Sequence, residues 1–189
     1  MSKVIAIQPT KDFKARSKAV LDDPGQRKNF RGAMDFLQAK RRAQFALAIA
    51  QRVKAKRIIK GKSMVSEEVG FNHAMEAAGI EAFESDMGEY IVQLAGETPS
   101  HIIMPAIHKT KQEIAALFAK EVPGVTYTED VDALIQIGRR VLRRKFADAD
   151  IGLSGVNFMV AETGTLCLVE NEGNGRMCTT VPPVHIAIT

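Results

Sequence analysis

The sequence predicts an α/β fold: a mostly parallel sheet with flanking helices, preceded by a basic helical N-terminal segment. Three observations predict it. Short apolar runs rich in Ile, Val and Phe alternate with longer amphipathic stretches from about residue 56 onward. The connections between them are short, as strand–helix–strand units require. The composition, 46% hydrophobic and 25% charged, is that of a globular chain with enough apolar material for a core.

The elements follow in order. Residues 26–55, "QRKNFRGAMDFLQAKRRAQFALAIAQRVKA", read as one long helix or two close ones. Phe30, Met34, Leu37, Ala43 or Gln44, Leu47 and Ala48 recur at spacings of three and four, with bases on the other faces. Asp22, Asp23 and Pro24 supply start signals upstream. We therefore divide the chain into a basic helical segment, 1–55, and an α/β domain, 56–189. "RIIKGK" at 57–62 is a strand running into a loop. "SMVSEEVGFNHAMEAAG" reads as one helix, with Ser63 or Ser66 as N-cap, Glu67 and Glu68 in its first turn, and Gly79 closing it.

"IEAFES" at 80–85 is the next strand, and "EYIVQL" at 89–94 a short strand or helical turn. "SHIIMPA" at 100–106 reads as a buried strand, followed by a helix over 109–122. A second amphipathic helix covers 130–149, with Leu134, Ile137, Val141 and Phe146 on one side. "VNFMVAE" and "TLCLVEN" are apolar runs joined at Thr163-Gly164, a hairpin-compatible connection. A third run, "VHIAIT", ends the sequence, and we expect the sheet to continue beyond it in a longer protein.

Charge is unevenly spread. Residues 1–60 hold 16 Lys and Arg against 4 acids, and residues 61–189 hold 10 against 18. A basic segment on an acidic body suits an anionic surface or an acidic partner subunit, or simply a solvated helix face. No aromatic residues interleave the bases as a nucleic-acid stacking site would require. No apolar run approaches a membrane span, and the N-terminus lacks a signal-peptide pattern, so a cytoplasmic protein is expected. Cys167 and Cys178 are too few for a disulfide framework or an iron–sulfur cluster, and read as reduced thiols in or near strands. His73, His101, His108 and His185 have no metal-ligand spacing. His185, between apolar neighbours, reads as a hydrogen-bonded core histidine.

Two motifs stop short of nucleotide-binding patterns. "GKS" at 61–63 sits where a phosphate loop would end, but Lys56 stands where that loop needs a glycine. Lys62 and the amides of a helix start remain as a candidate anion contact. "EGNGR" at 172–176 lacks the dinucleotide spacing, reads as a hairpin turn, and precedes residues that do not read as a helix. Yet Ser154, Asn157, Glu162, Thr163, Asn171, Glu172, Asn174 and Arg176 crowd onto strand ends and turns, where open α/β sheets collect ligands. Glu162 is the candidate acid, base or nucleophile. Arg176 is a candidate carboxylate fork, or simply the partner of Glu162.

"KGKSMVSEE", "GEYIVQLAGETPSHIIMPAIHKT", "LRRKFADADIGLSGVNFMVAETGT" and "NEGNGRMCTTVPPVHIA" closely resemble the lactate-utilisation (LUD) domain. Within that family they resemble the iron–sulfur subunit of a bacterial L-lactate oxidation system. The resemblance implies a fold like that of sugar-phosphate isomerases and coenzyme A transferases. It implies electron transfer in the oxidation of L-lactate to pyruvate, with two partner subunits, one cysteine-rich and one a small LUD-domain protein. It also implies 4Fe-4S clusters in a ferredoxin-like region that this sequence does not contain, so this chain by itself is expected to be inactive. In the implied small-anion pocket, Lys62 and Arg176 are the expected anion contacts and Glu162 the chemically capable group. Ser63, Ser154, Asn157, Thr163, Asn171, Glu172 and Asn174 would line and orient, and Gly173 and Gly175 would admit close approach. The alternative is an autonomous transferase or isomerase acting on a coenzyme A ester or sugar phosphate.

Overall fold

The computed structural model describes residues 24–25, 41–101 and 103–189, and the fold is that of residues 42–189. Residues 26–40, the first half of the predicted N-terminal helix, therefore lie outside the described residues. Its last part is helical over 41–52 (α1). Ala43, Ala46 and Ala50 are the buried stripe of α1, while Ala48 is exposed.

Four short strands form a parallel sheet in the order β2-β1-β3-β6: β1 (Arg57–Lys60), β2 (Glu81–Glu84), β3 (Ile151–Ser154) and β6 (Val184–Ala187). The α/β class with flanking helices is as the sequence predicts. Strand side chains alternate between faces, which splits the core in two. Ile58, Ala82, Ile151, Leu153 and Ile186 pack on one face against Ala46 and Ala50 of α1 and against Phe71 and Met75. Ile59 faces the other way, with Phe146 and Cys178.

Between β1 and β2 the expected single helix is two, α2 (Met64–Glu68) and α3 (Phe71–Glu76). Gly70 breaks it with φ +63°, a left-handed conformation that glycine adopts without steric cost. Ser63, not Ser66, is the N-cap of α2, its side chain accepting from the Ser66 N–H.

Between β2 and β3 run α4 (Met87–Ala95), α5 (Lys111–Glu121) and α6 (Val131–Asp148). "EYIVQL" is thus helical, started by Asp86, whose carboxylate accepts from the Glu89 N–H. These three helices share a second core of Tyr90, Ile91, Ala115, Phe118, Leu134 and Leu142. Over 100–106, expected as a buried strand, none of the described residues is in a strand, and Ser100, His101, Ile103 and Met104 are exposed, Ile103 by 70%. The backbone here turns on itself: the His101 ring nitrogen accepts from the Ile103 and Met104 N–H groups, so those amides are unavailable to a sheet.

After β3 the hairpin forms, β4 (Phe158–Val160) against β5 (Thr165–Cys167), antiparallel. Its apolar side chains stay exposed, Phe158 and Met159 among them. The "EGNGR" stretch is corrected most. It leads into a helix, α7 (Asn174–Thr180), rather than turning a hairpin. Cys178 is therefore a buried helical residue, not a strand one. Gly152 of β3 explains the close seat of α7: a Cβ there would overlap the carbonyl oxygen of Cys178. His185 is hydrogen-bonded as expected, to Ser154 Oγ at 2.8 Å, but it is exposed rather than in the core.

Candidate functional site

The strand order places the site. The chain leaves β1 to add β2 on one side and β3 on the other, so connections diverge between β1 and β3. In open α/β sheets a crevice opens outside the carboxyl ends of the strands at such a switch point. A cavity of about 530 Å³ lies there, walled by Gly61–Val65 after β1, Ser154–Asn157 after β3, and Leu168–Glu172, Asn174 and Gly175 leading into α7. Glu67, Glu89 and Ile103 complete it.

Lys62 is the basic residue of that wall. Its ammonium contacts Asp86 Oδ1 at 3.0 Å and Glu172 Oε2 at 3.2 Å, and donates to the Ile103 carbonyl at 3.4 Å. Burial pulls its pKa down, but the hydrogen bonds and charges of Asp86, then Glu172, outweigh that and raise it. Lys62 is thus held charged and aimed across the cavity. Because Glu172 is half exposed, it can yield its place to an incoming anion.

Of the residues expected from sequence, the structure gathers Lys62, Ser63, Ser154, Asn157, Asn171, Glu172, Asn174 and Gly175 around this one cavity. Some of them are already engaged locally. Ser63 caps α2, Ser154 binds His185, and Asn157 Oδ1 accepts from the Val169 N–H at 2.8 Å. Asn174 donates to Ser85 Oγ at 3.5 Å, and its Oδ1 accepts from the Gly175 N–H. Gly173, with φ +88°, is the N-cap of α7, outside the cavity wall.

Glu162 and Thr163 sit in the hairpin turn, exposed and outside the wall, with Thr163 Oγ1 bonded to Thr165 Oγ1. Arg176 is 79% exposed and its charge partner is Glu170 at 3.7 Å, not Glu162. Neither Glu162 nor Arg176 lines the cavity, although Arg176 pairs with Glu170 of its wall.

Behind the cavity lies a polar cluster that the motif reading missed. Lys60, fully buried, pairs with Glu84 at 2.9 Å and with Glu67. Burial lowers the Lys60 pKa, yet the charge of Glu84 and the hydrogen bonds to Glu67 and Glu84 raise it overall. Burial, then the negative charge of Glu84, push Glu89 up to about 8, against the opposing pull of Lys60. A signal was present: Lys60 and Glu84 each end a short strand on the face that carries Ile58 and Ala82. A charge at the end of a buried strand face needs a partner.

The loop that follows α4 closes over this region. Glu97, Thr98 and Pro99 border a smaller cavity, and Ile103 the larger one. His108 pins the loop, bridging Ser100 Oγ at 2.5 Å and Glu97 Oε2 at 2.7 Å, with Lys109 also on Glu97. Among the described residues no group of His, Cys, Asp and Glu is arranged to hold a metal ion, and no helix is long and apolar enough to cross a membrane.

The LUD-domain family model matches residues 33–189. The chain belongs to the LUD-domain family. A relative from Escherichia coli (strain K12), "Uncharacterized electron transport protein YkgF", is 47% identical over 145 residues, 77% of this chain and 30% of its own. "Lactate utilization protein B" of Bacillus cytotoxicus is 46% identical over 146 residues, 77% of this chain and 31% of its own, and the protein of that name from Bacillus thuringiensis matches equally. The LUD-domain chain thus spans about 30% of the length of the curated relatives it matches. No solved structure matches it. All four of the segments that carry the resemblance fall within the matched residues.

Proposed function

We propose that this LUD domain is part of an iron–sulfur electron-transfer subunit that oxidises L-lactate to pyruvate with two partner subunits in the cytoplasm. The observation that supports it most is the 46% identity to lactate utilization protein B across 77% of the chain. The electron-transport name of the E. coli relative points the same way. In this reading the 4Fe-4S clusters belong to a cysteine-rich region elsewhere in the subunit, since Cys167 and Cys178 lack the number of thiolates a cluster needs.

The domain's own contribution is the cavity at the β1/β3 switch point, which we read as a small-carboxylate site. Lys62 supplies the positive charge, with Glu172 displaced toward solvent when the ligand enters. Ser154, Asn157, Asn171 and Asn174 supply polar edges, and the apolar walls of Val65, Val156 and Leu168 suit the methyl group of a short acid. The transferase or isomerase alternative drew on a reactive Glu162, which is exposed in the hairpin turn and does not line this cavity.

Deleting the gene tests the reading at the level of the cell. Growth on L-lactate as sole carbon source should fail, growth on pyruvate should persist, and the intact gene should restore the first. Undiminished growth of the deletion strain on L-lactate would remove the proposal.

A further inference from the structure

The smaller cavity, about 230 Å³, is lined by Glu67, Asn72, Glu84, Glu89 and Gln93, among others. Glu67 and Glu89 also line the larger one, so these two side chains stand between the two spaces. Donors are scarce at this wall. Glu84 is only 5% exposed. Its Oε1 takes both available donors, the Asn72 amide at 2.7 Å and the Lys60 ammonium at 2.9 Å. Glu84 Oε2 and Glu89 Oε2 are buried without a donor, as is Asn72 Oδ1. Gln93 offers no relief, because its amide is committed to the β2 backbone at Ala82 and Glu84.

Leaving buried carboxylate oxygens without donors is costly. Glu84 and Glu89 both line the smaller cavity, and each buries one carboxyl oxygen without a donor. Two carboxylates are both acceptors and repel, but one proton makes one of them a donor, and the two orphan oxygens then satisfy each other. The charges around the pair favour that proton. Lys60 from β1 is the cation facing it, and Lys60 is shared with Glu67 of α2, while Asp86 before α4 adds a further negative charge. Asn72 of α3 and Gln93 of α4 are neutral. Burial and the charge of Glu84 act on Glu89 in the same direction.

We propose that Glu84 and Glu89 share one proton at neutral pH, so that Glu89 borders the larger cavity as an un-ionised carboxyl and not as a carboxylate. The shared proton rests on these two buried, donorless oxygens and not on the small-carboxylate reading. The ligand half rests on the small-carboxylate reading above, and it eases that reading's chief difficulty: Lys62 is outnumbered there by Glu67, Glu170 and Glu172. A Glu89 held neutral adds no fourth repelling charge to that wall.

Infrared difference spectroscopy of the purified chain, with circular dichroism to verify folding, reads the proton directly. At pH 7 the wild type should show the carbonyl band of an un-ionised carboxylic acid, absent from Glu89→Gln and shifted or lost in Glu84→Gln. Glu162→Gln should leave the band in place. Identical wild-type and Glu89→Gln spectra would overturn the proposal, and an unshifted band in folded Glu84→Gln would overturn the sharing. Adding L-lactate separates the two halves. A band that shifts upholds both, whereas a band present but unmoved by lactate upholds the shared proton and sinks lactate as this cavity's ligand.

Discussion

Gly152 and Cys178 are in backbone contact: a Cβ on Gly152 would stand 2.7 Å from the Cys178 carbonyl carbon and 3.2 Å from its Cα. The obstacle is main chain, so it cannot rotate away. Gly152→Ala should therefore push α7 off the sheet and destabilise by roughly 1–3 kcal/mol, the usual cost of overpacking. Because α7 carries Asn174 and Gly175 of the cavity wall, ligand binding should weaken as well. Gly138→Ala is the contrasting case, since its added Cβ meets the flexible end of Met87. Urea denaturation of both variants checks this, and equal midpoints would show that rigidity of the neighbour does not decide the outcome.

Lys60→Ala should cost about 3–5 kcal/mol, because it leaves Glu84 buried without its cation. The double variant Lys60→Ala with Glu84→Gln should recover much of that loss, since the buried carboxylate goes with its cation and the half-exposed Glu67 can turn to water. A double-mutant cycle by chemical denaturation measures the coupling. Additive losses would mean that the pair does not act as a unit.

Glu89 gives stability a pH dependence whose sign is fixed. Its folded value of about 8 lies above the ordinary 4.5, so between those values the folded chain holds a proton that the unfolded chain has released. Stability contributed by this group therefore falls as pH rises through that window. Glu89→Gln cannot ionise, so the variant should gain on the wild type as pH increases. Parallel stability curves for the two proteins would contradict the assignment.

Lys62→Ala should weaken L-lactate binding about tenfold to a hundredfold, the effect of losing a hydrogen bond to a charged group. Glu162→Gln and Arg176→Ala should change it little, because neither residue lines the cavity. Isothermal titration calorimetry ranks the three. A loss with Glu162→Gln as large as that with Lys62→Ala would move the site to the hairpin.

The fold was legible where local pattern and tertiary packing agree. The helices expected over 109–122 and 130–149 form as Lys111–Glu121 and Val131–Asp148, each started by a side chain, Thr110 or Asp130, that accepts a first-turn N–H. "SHIIMPA" misled because apolar residues usually mark burial, whereas here they cover a loop turned by His101. "EGNGR" hid a helix because α7 has no side-chain cap and only seven residues, so its stability comes from lying on Gly152. The cavity's turn residues were legible as a polar cluster. Glu84 and Glu89 were not, because the cavity they share depends on the parallel pairing of β1 and β2 and on α4, where the sequence left a short strand or a helical turn open.

The most direct test of the central claim, that the β1/β3 switch point holds a small carboxylate of lactate metabolism, is an NMR titration of the isotope-labelled chain with L-lactate. The account predicts saturable amide shifts at Gly61, Lys62, Ser63, Ser154, Asn157, Asn174 and Gly175, lost in Lys62→Ala. Shifts confined to the β4–β5 hairpin, or none at any residue of the cavity wall, would contradict it.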